Sequence, residues 1–149
     1  MILDIKKRNK VRIAEKKTIE YYKSKGIFLT RYGFDLLDSG LHPREFMKIP
    51  KMIRNTPDFV AINKGFAFIE SKCCGGDFLK LKLDDMQSYS LWNKVGQLVF
   101  FLWATKYREH SQVSFSLMVQ LIKSNDYKIK VYPDNNKKYF EIPWLDLCN

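Results

Sequence analysis

Two acids and a lysine stand in one short stretch, TPDFVAINKGFAFIESK (residues 56–72): Asp58, Glu70 and Lys72. DFVAI and FAFIESK have strand composition. Asn63-Lys64-Gly65 between them predicts a hairpin with a three-residue loop and Gly65 in the left-handed conformation. Ile62 then faces Phe66, and Asp58 faces Glu70 with Cβ atoms roughly 5 Å apart. Lys72 shares the face of Glu70 because side chains alternate along a strand. A two-residue loop at Lys64-Gly65 would instead pair Asp58 with Ser71 and scatter the three groups. In the first register two carboxylates repel, and burial raises the pKa of at least one of them. A divalent cation reverses the sign of that interaction, since hard oxygen ligands suit Mg²⁺. Lys72 beside it would balance the charge of an anionic substrate. The plainer alternatives are scattered surface charges, or a salt bridge from Lys72 to one carboxylate.

The elements that must position these groups are legible around them. Residues 9–25 read as a helix stopped by Gly26. Val11, Ala14, Thr18 and Tyr22 form its core-facing stripe. Glu15 falls about 40° from Val11 on the helical wheel, and Glu20 about 180° away among lysines. An acid on an apolar face needs a partner, either a cation or an arginine such as Arg31 or Arg54. IFLTRYG (27–33) predicts a strand, and 34–55 an irregular segment with a short helical turn. Residues 84 to about 95 predict a helix with Asp84 or Asp85 as N-cap. LVFFLWAT (98–105) has the near-continuous apolar character of a strand buried on both faces, and FSLMVQLI (115–122) is read as another. KIKVYP and YFEIPWLDL predict an edge hairpin or flap. Arg108-Glu109-His110 reads as a solvated turn. The expected fold is α/β, a mixed central sheet flanked by helices in one domain spanning 1–149.

Charge and composition narrow the partner. The chain has 149 residues and a formal net charge of +10. Residues 1–25 contribute +6 of it, from nine Lys or Arg against three acids. Such an excess favours a polyanion, nucleic acid before membrane. No apolar run approaches bilayer length, and the start of the chain lacks a signal peptide's apolar middle. The expectation is a cytoplasmic protein of a bacterial or phage-infected cell. Cys73, Cys74 and Cys148 are odd in number and read as free thiols, and His42 and His110 lack zinc-ligand spacing from the Cys pair. Trp103 reads as core. Trp92, Trp144 and Tyr89 fit core, interface or base-stacking roles.

Pro57-Asp58, eleven residues, then Glu70-Ser71-Lys72 resembles the PD-(D/E)XK nuclease superfamily over roughly residues 11–105. Small Holliday-junction resolvases and virus-type replication-repair nucleases are similar in size and layout. The long segment 34–55 before Pro57 departs from the pattern. The resemblance implies a restriction-endonuclease-like core in α-β-β-β-α-β order and Mg²⁺ or Mn²⁺ held by Asp58, Glu70 and the Ser71 carbonyl. Glu15 would complete or support the site from outside. Lys72 would orient or activate water and stabilise developing charge. Gln87, fifteen residues past Lys72, matches a glutamine often found in these nucleases, or is an ordinary polar helix residue. Lys6, Lys7, Arg8, Lys10, Arg12, Arg31, Arg44, Lys51 and Arg54 would grip DNA phosphates without reading bases. The implied activity is metal-dependent endonucleolytic cleavage of DNA, structure-selective and, on a junction, carried by a homodimer. The alternatives are a sequence-specific restriction or homing-type enzyme, an inactive basic nucleic-acid-binding module, and a protein whose basic helix docks an acidic partner. The last leaves Glu15, Asp58 and Glu70 unexplained together.

Overall fold

The computed structural model describes residues 2–33 and 40–148, and of residues 2–7 the backbone alone. Helix α1 (Ile2–Ser24) leads into β1 (Phe28–Arg31), short helices α2 (Pro43–Lys48) and α3 (Lys51–Arg54), and the hairpin β2 (Phe59–Ile62) and β3 (Phe66–Cys74). Then come β4 (Phe78–Lys82), α4 (Leu83–Val95), β5 (Leu98–Ala104), β6 (Glu109–Ser114), α5 (Phe115–Ser124), β7 (Ile129–Val131), β8 (Lys138–Pro143) and α6 (Trp144–Leu147). Five strands make a mixed sheet in the order β1-β2-β3-β5-β6. The β3–β5 pair is parallel and the other three are antiparallel. The parallel pair requires a crossover, which α4 supplies. The chain is thus α/β, a mixed sheet between helices. None of the described helices is long and apolar enough to cross a membrane.

Alternation along the strands divides the core into two layers. Phe59, Ala61, Ile69 and Phe101 pack with Tyr22 of α1. Phe68, Leu98, Phe100 and Leu102 pack with Tyr89 and Trp92 of α4 and Met118 of α5. The prediction that β5 is buried on both faces holds, since Phe100 and Phe101 point to opposite layers with 0% and 1% exposure.

Helix α1 ends as its glycine predicts. Gly26 has φ +66°, its N–H bonds the Lys23 carbonyl, and the Ile27 N–H reaches back to Tyr22. Those two bonds satisfy two of the last four carbonyls of the helix. Ala14, Thr18 and Tyr22 are buried as expected, but Val11 is 54% exposed. It sits on the predicted stripe and lines the rim of the cavity described below.

Several expectations are corrected. Gly65 is not among the described residues with positive φ, although the three-residue loop and its register hold. FSLMVQLI is helix α5, not a strand: the Ser114 hydroxyl caps it by accepting from the Leu117 N–H at 3.1 Å, and Phe115 and Met118 bury one face. The residue outside the start of α4 is Lys82, without a side-chain cap bond, so Asp84 and Asp85 stand in the first turn instead. There the helix dipole favours negative charge. Arg108, Glu109 and His110 are exposed as expected, but the turn ends at Arg108 and strand β6 starts at Glu109. Strand β4 was not anticipated. It pairs with β8, which pairs with β7, in a separate three-stranded sheet that contains the predicted terminal hairpin.

Candidate active site

Register builds the site. Phe59 pairs with Ile69 and Ile62 with Phe66, which sets Asp58 opposite Glu70 just where β2 begins. Asp58 is pinned at both ends. Its carbonyl accepts from the N–H groups of Tyr32 (2.9 Å) and Gly33 (3.1 Å), and its Oδ2 accepts from the Ser71 N–H at 2.8 Å. The carboxylate thus takes up an N–H of β3 that β2 no longer reaches. A strand continued through Pro57 would have no N–H to return to the Ser71 carbonyl. Gly33 permits the close passage: a Cβ there would lie 3.1 Å from the Asp58 Cα. On the opposite face of β3, the Ser71 hydroxyl lies 2.7 Å from the Thr18 hydroxyl, which also donates to the Ala14 carbonyl. That contact fixes the middle of α1 against the strand that carries the acid and the lysine.

Glu70 is 12% exposed and Lys72 28%. Lys72 Nζ lies 3.2 Å from Glu70 Oε1, and the Tyr89 hydroxyl donates to the same oxygen at 3.3 Å. Among the described residues, the other oxygen, Oε2, is buried and has no hydrogen-bond partner. A buried, partnerless carboxylate oxygen is costly unless something positive is bound there. Burial and the facing Glu70 push the Asp58 carboxyl well above the usual carboxylate range, against the Ser71 N–H and Lys72. Burial likewise raises Glu70, opposed by the charge and hydrogen bond of Lys72. Burial works against the charge of Lys72, but Tyr89 and Glu70 outweigh it and hold its pKa well above the usual lysine value. Lys72 is therefore a cation and proton donor at neutral pH, not a base.

Three of the sequence-predicted groups, Asp58, Glu70 and Lys72, line one cavity of about 420 Å³ together with Ser71. Glu15 reaches an adjoining cavity with them, but Arg31 Nη2 holds its carboxylate at 2.7 Å. The arginine alternative is the one observed. Among the described residues no three acidic, histidine or cysteine side chains converge as a metal-ligand group. Glu15 is thus a neighbouring charge that contributes to raising Asp58. Gln87 is exposed and lines neither cavity. It lies about 160° around α4 from both Asp85 and Tyr89. Tyr89 takes the place expected of it. Removing that hydroxyl leaves Glu70 with one donor fewer, so Tyr89→Phe is expected to raise the Glu70 pKa further. Divalent-ion affinity at neutral pH should fall roughly tenfold, the low end for a hydrogen bond to a charged group. Isothermal titration with Mn²⁺ checks it, and unchanged affinity refutes it.

The basic residues sort into two groups. Arg8, Arg12 and Arg44 are exposed, and Lys10 reaches the cavity rim. Arg31 is held by Glu15, Lys51 donates to the Asp84 carbonyl at 2.6 Å, and Arg54 donates to the Ile49 carbonyl at 2.9 Å. Those three brace the protein as well as adding charge. The side chains of Lys6 and Lys7 lie outside the described ones. Trp92 and Trp144 are 7% and 2% exposed, which removes both as stacking platforms. Trp103 is half-buried beneath Lys17. Sequence reasoning missed Lys80, Lys82, Tyr132 and Asn135, which also line the cavity. The alternation in FLKLK was the available signal for the lysines.

No protein-family model matches the chain, and no curated protein sequence matches it. Among solved structures, D212, a nuclease from a fusselovirus, is similar with a TM-score of 0.53 and 11% identity, over 95% of this chain and 84% of that one. At that identity the likeness concerns the fold.

Proposed function

We propose that this chain is a divalent-metal-dependent nuclease of the PD-(D/E)XK type that hydrolyses phosphodiester bonds of DNA with structure selectivity. One observation carries the reading: the buried Glu70 Oε2 beside Asp58, without a hydrogen-bond partner among the described residues and in reach of a fixed lysine. The donor set fits Mg²⁺ or Mn²⁺, which need only one or two carboxylates and fill their remaining positions with water and substrate oxygens. Asp58, Glu70 and the Ser71 carbonyl would hold the ion. When bound, it lowers the pKa of water and takes up charge on the scissile oxygens. Lys72 supplies fixed positive charge where negative charge grows on the phosphate. Tyr89 orients Glu70, and Arg31 holds the Glu15 carboxylate beside the pair. Arg8, Lys10, Arg12 and Arg44 add a sequence-blind grip on phosphates. The fold shared with the fusselovirus nuclease supports the assignment.

The test is a substrate panel of plasmid, linear duplex, flap, four-way junction and single strand with Mg²⁺, Mn²⁺ or EDTA. Cleavage is expected with either metal and none in EDTA, strongest on a branched or partly unpaired substrate. Binding without cleavage under any metal would identify an inactive nucleic-acid-binding module. Cutting confined to one sequence in plain duplex would identify a restriction-type enzyme. Symmetric resolution of a junction requires two sites, so in that case the working unit is a homodimer.

A further inference from the structure

The cavity over the carboxylates has two walls. Lys10 and Val11 of α1 form one, and the outer face of the small sheet forms the other. Along β4, Leu79 and Leu81 are 1% exposed in the core, so Phe78, Lys80 and Lys82 turn to the cavity. Lys80 and Lys82 stand about 7 Å apart on one strand face. That matches the step between successive phosphates of an extended nucleic-acid strand. Two tyrosines orient them. Lys80 Nζ lies 5.3 Å from the Tyr139 ring centre and 5.8 Å from that of Tyr132, and Lys82 Nζ lies 5.7 Å from Tyr132. A ring face attracts an ammonium without cancelling its charge. The one acid in register with Lys80 is Glu141, and Lys130 holds it at 3.1 Å.

We propose that this wall is a phosphate track for a single nucleic-acid strand. Lys80 and Lys82 hold two successive phosphates beside the one to be cut, and the strand is unpaired at that point. The proposal rests on the phosphodiesterase reading above and names its substrate class. The space decides for one strand. About 420 Å³ is near the lower end of ligand-sized cavities, roughly 300–1,000 Å³. It admits a nucleotide between α1 and the Tyr132–Asn135 rim. Glu70 lies on the floor, and only a strand free to leave its partner reaches it.

The experiment measures oligonucleotide affinity by fluorescence anisotropy in EDTA, and cleavage in Mn²⁺, for one sequence presented as single strand, flap and matched duplex. The wild type is expected to bind and cut the unpaired forms at least about tenfold better than the duplex. Lys80→Gln with Lys82→Gln should weaken single-strand binding by about tenfold to a hundredfold. It should also lower the log–log salt slope by about 1.4, roughly 0.7 for each lost phosphate contact. The Mn²⁺-induced rise in melting temperature should persist, because the carboxylates are intact. Each single variant should show half the slope change, which keeps the test sound if the double variant folds poorly. Metal-dependent cleavage with unchanged slopes in the variants, or with matched duplex cut as fast as single strand, overturns the track alone. No metal-dependent cleavage of any form by the wild type overturns the phosphodiesterase reading, and the track with it.

Discussion

Asp58→Asn and Glu70→Gln are each expected to reduce metal-dependent cleavage by about 10³-fold and to melt at a higher temperature than the wild type in EDTA. The two effects share one cause. Each substitution removes one of two buried, facing carboxylates whose pKa values are raised chiefly by burial. The sign follows from linkage. An acid with a folded pKa above its unfolded value favours the folded state while protonated. It withdraws that support as pH climbs from the unfolded pKa to the folded one, and above the folded pKa the full penalty remains. Metal-free wild type should therefore lose stability as pH rises out of the ordinary carboxylate range, and each variant should lose less. A relief of roughly 1 kcal/mol corresponds to about 4 °C in a chain of this length. Asn at 58 keeps an oxygen to accept the Ser71 N–H, so the hydrogen bond that positions it survives. Mn²⁺ should raise the melting temperature of the wild type and leave both variants nearly unmoved, since only a native-state binder stabilises. Cation binding also releases protons from these groups, so wild-type affinity should increase with pH over the same range. Differential scanning fluorimetry from about pH 5 to pH 8 with EDTA or Mn²⁺ reads all of this. Variants that melt below the wild type in EDTA and still respond to Mn²⁺ would show that these acids do not share a cation.

What could be read beforehand follows the range of the physics involved. The hairpin was legible because pairing across a short loop is local, and one register puts Asp58 opposite Glu70. It held even though Gly65 avoids the left-handed region, so loop length set the register and not the glycine conformation. Ser114 and the run after it could be read either way, because FSLMVQLI is interrupted only by Ser116 and Gln120, and a short, mostly apolar run fits a strand or a helix. The cap decided it. The partner of Glu15 was left between a cation and an arginine such as Arg31 or Arg54, and the pairing with Arg31 came from the edge position of β1 beside α1. Gln87 failed because a sequence offset ignores helical phase: the face of α4 turned to the sheet is set by Ser88, Tyr89 and Trp92, all buried. The third strand of the small sheet, β4, was missed for a different reason. Strand β4 and its partner β8 lie about sixty residues apart, and no local pattern announces a pairing at that range.

Lys72→Met is expected to lower cleavage by about 10²–10⁴-fold at every pH, with an effect on metal binding that changes sign across the pH range. Lys72 lowers the pKa of both Glu70 and Asp58. Without it both carboxylates hold their protons to higher pH, and protons compete better with the cation. Near about pH 6 the variant should bind Mn²⁺ more weakly than the wild type. Once the pH is high enough to ionise both carboxylates, the missing positive charge no longer repels the ion, and the variant should bind as tightly or more so. Cleavage should not recover with that affinity, because the charge facing the developing negative oxygens is gone. Lys72→Arg restores the charge without the compact ammonium that sits 3.2 Å from Glu70, and partial activity is expected. Binding by titration calorimetry and cleavage at saturating Mn²⁺ keep the two roles apart. Full recovery of cleavage by Lys72→Met at high pH would reduce Lys72 to a tuner of carboxylate pKa. A parallel loss of binding at every pH would make it a structural brace for Glu70.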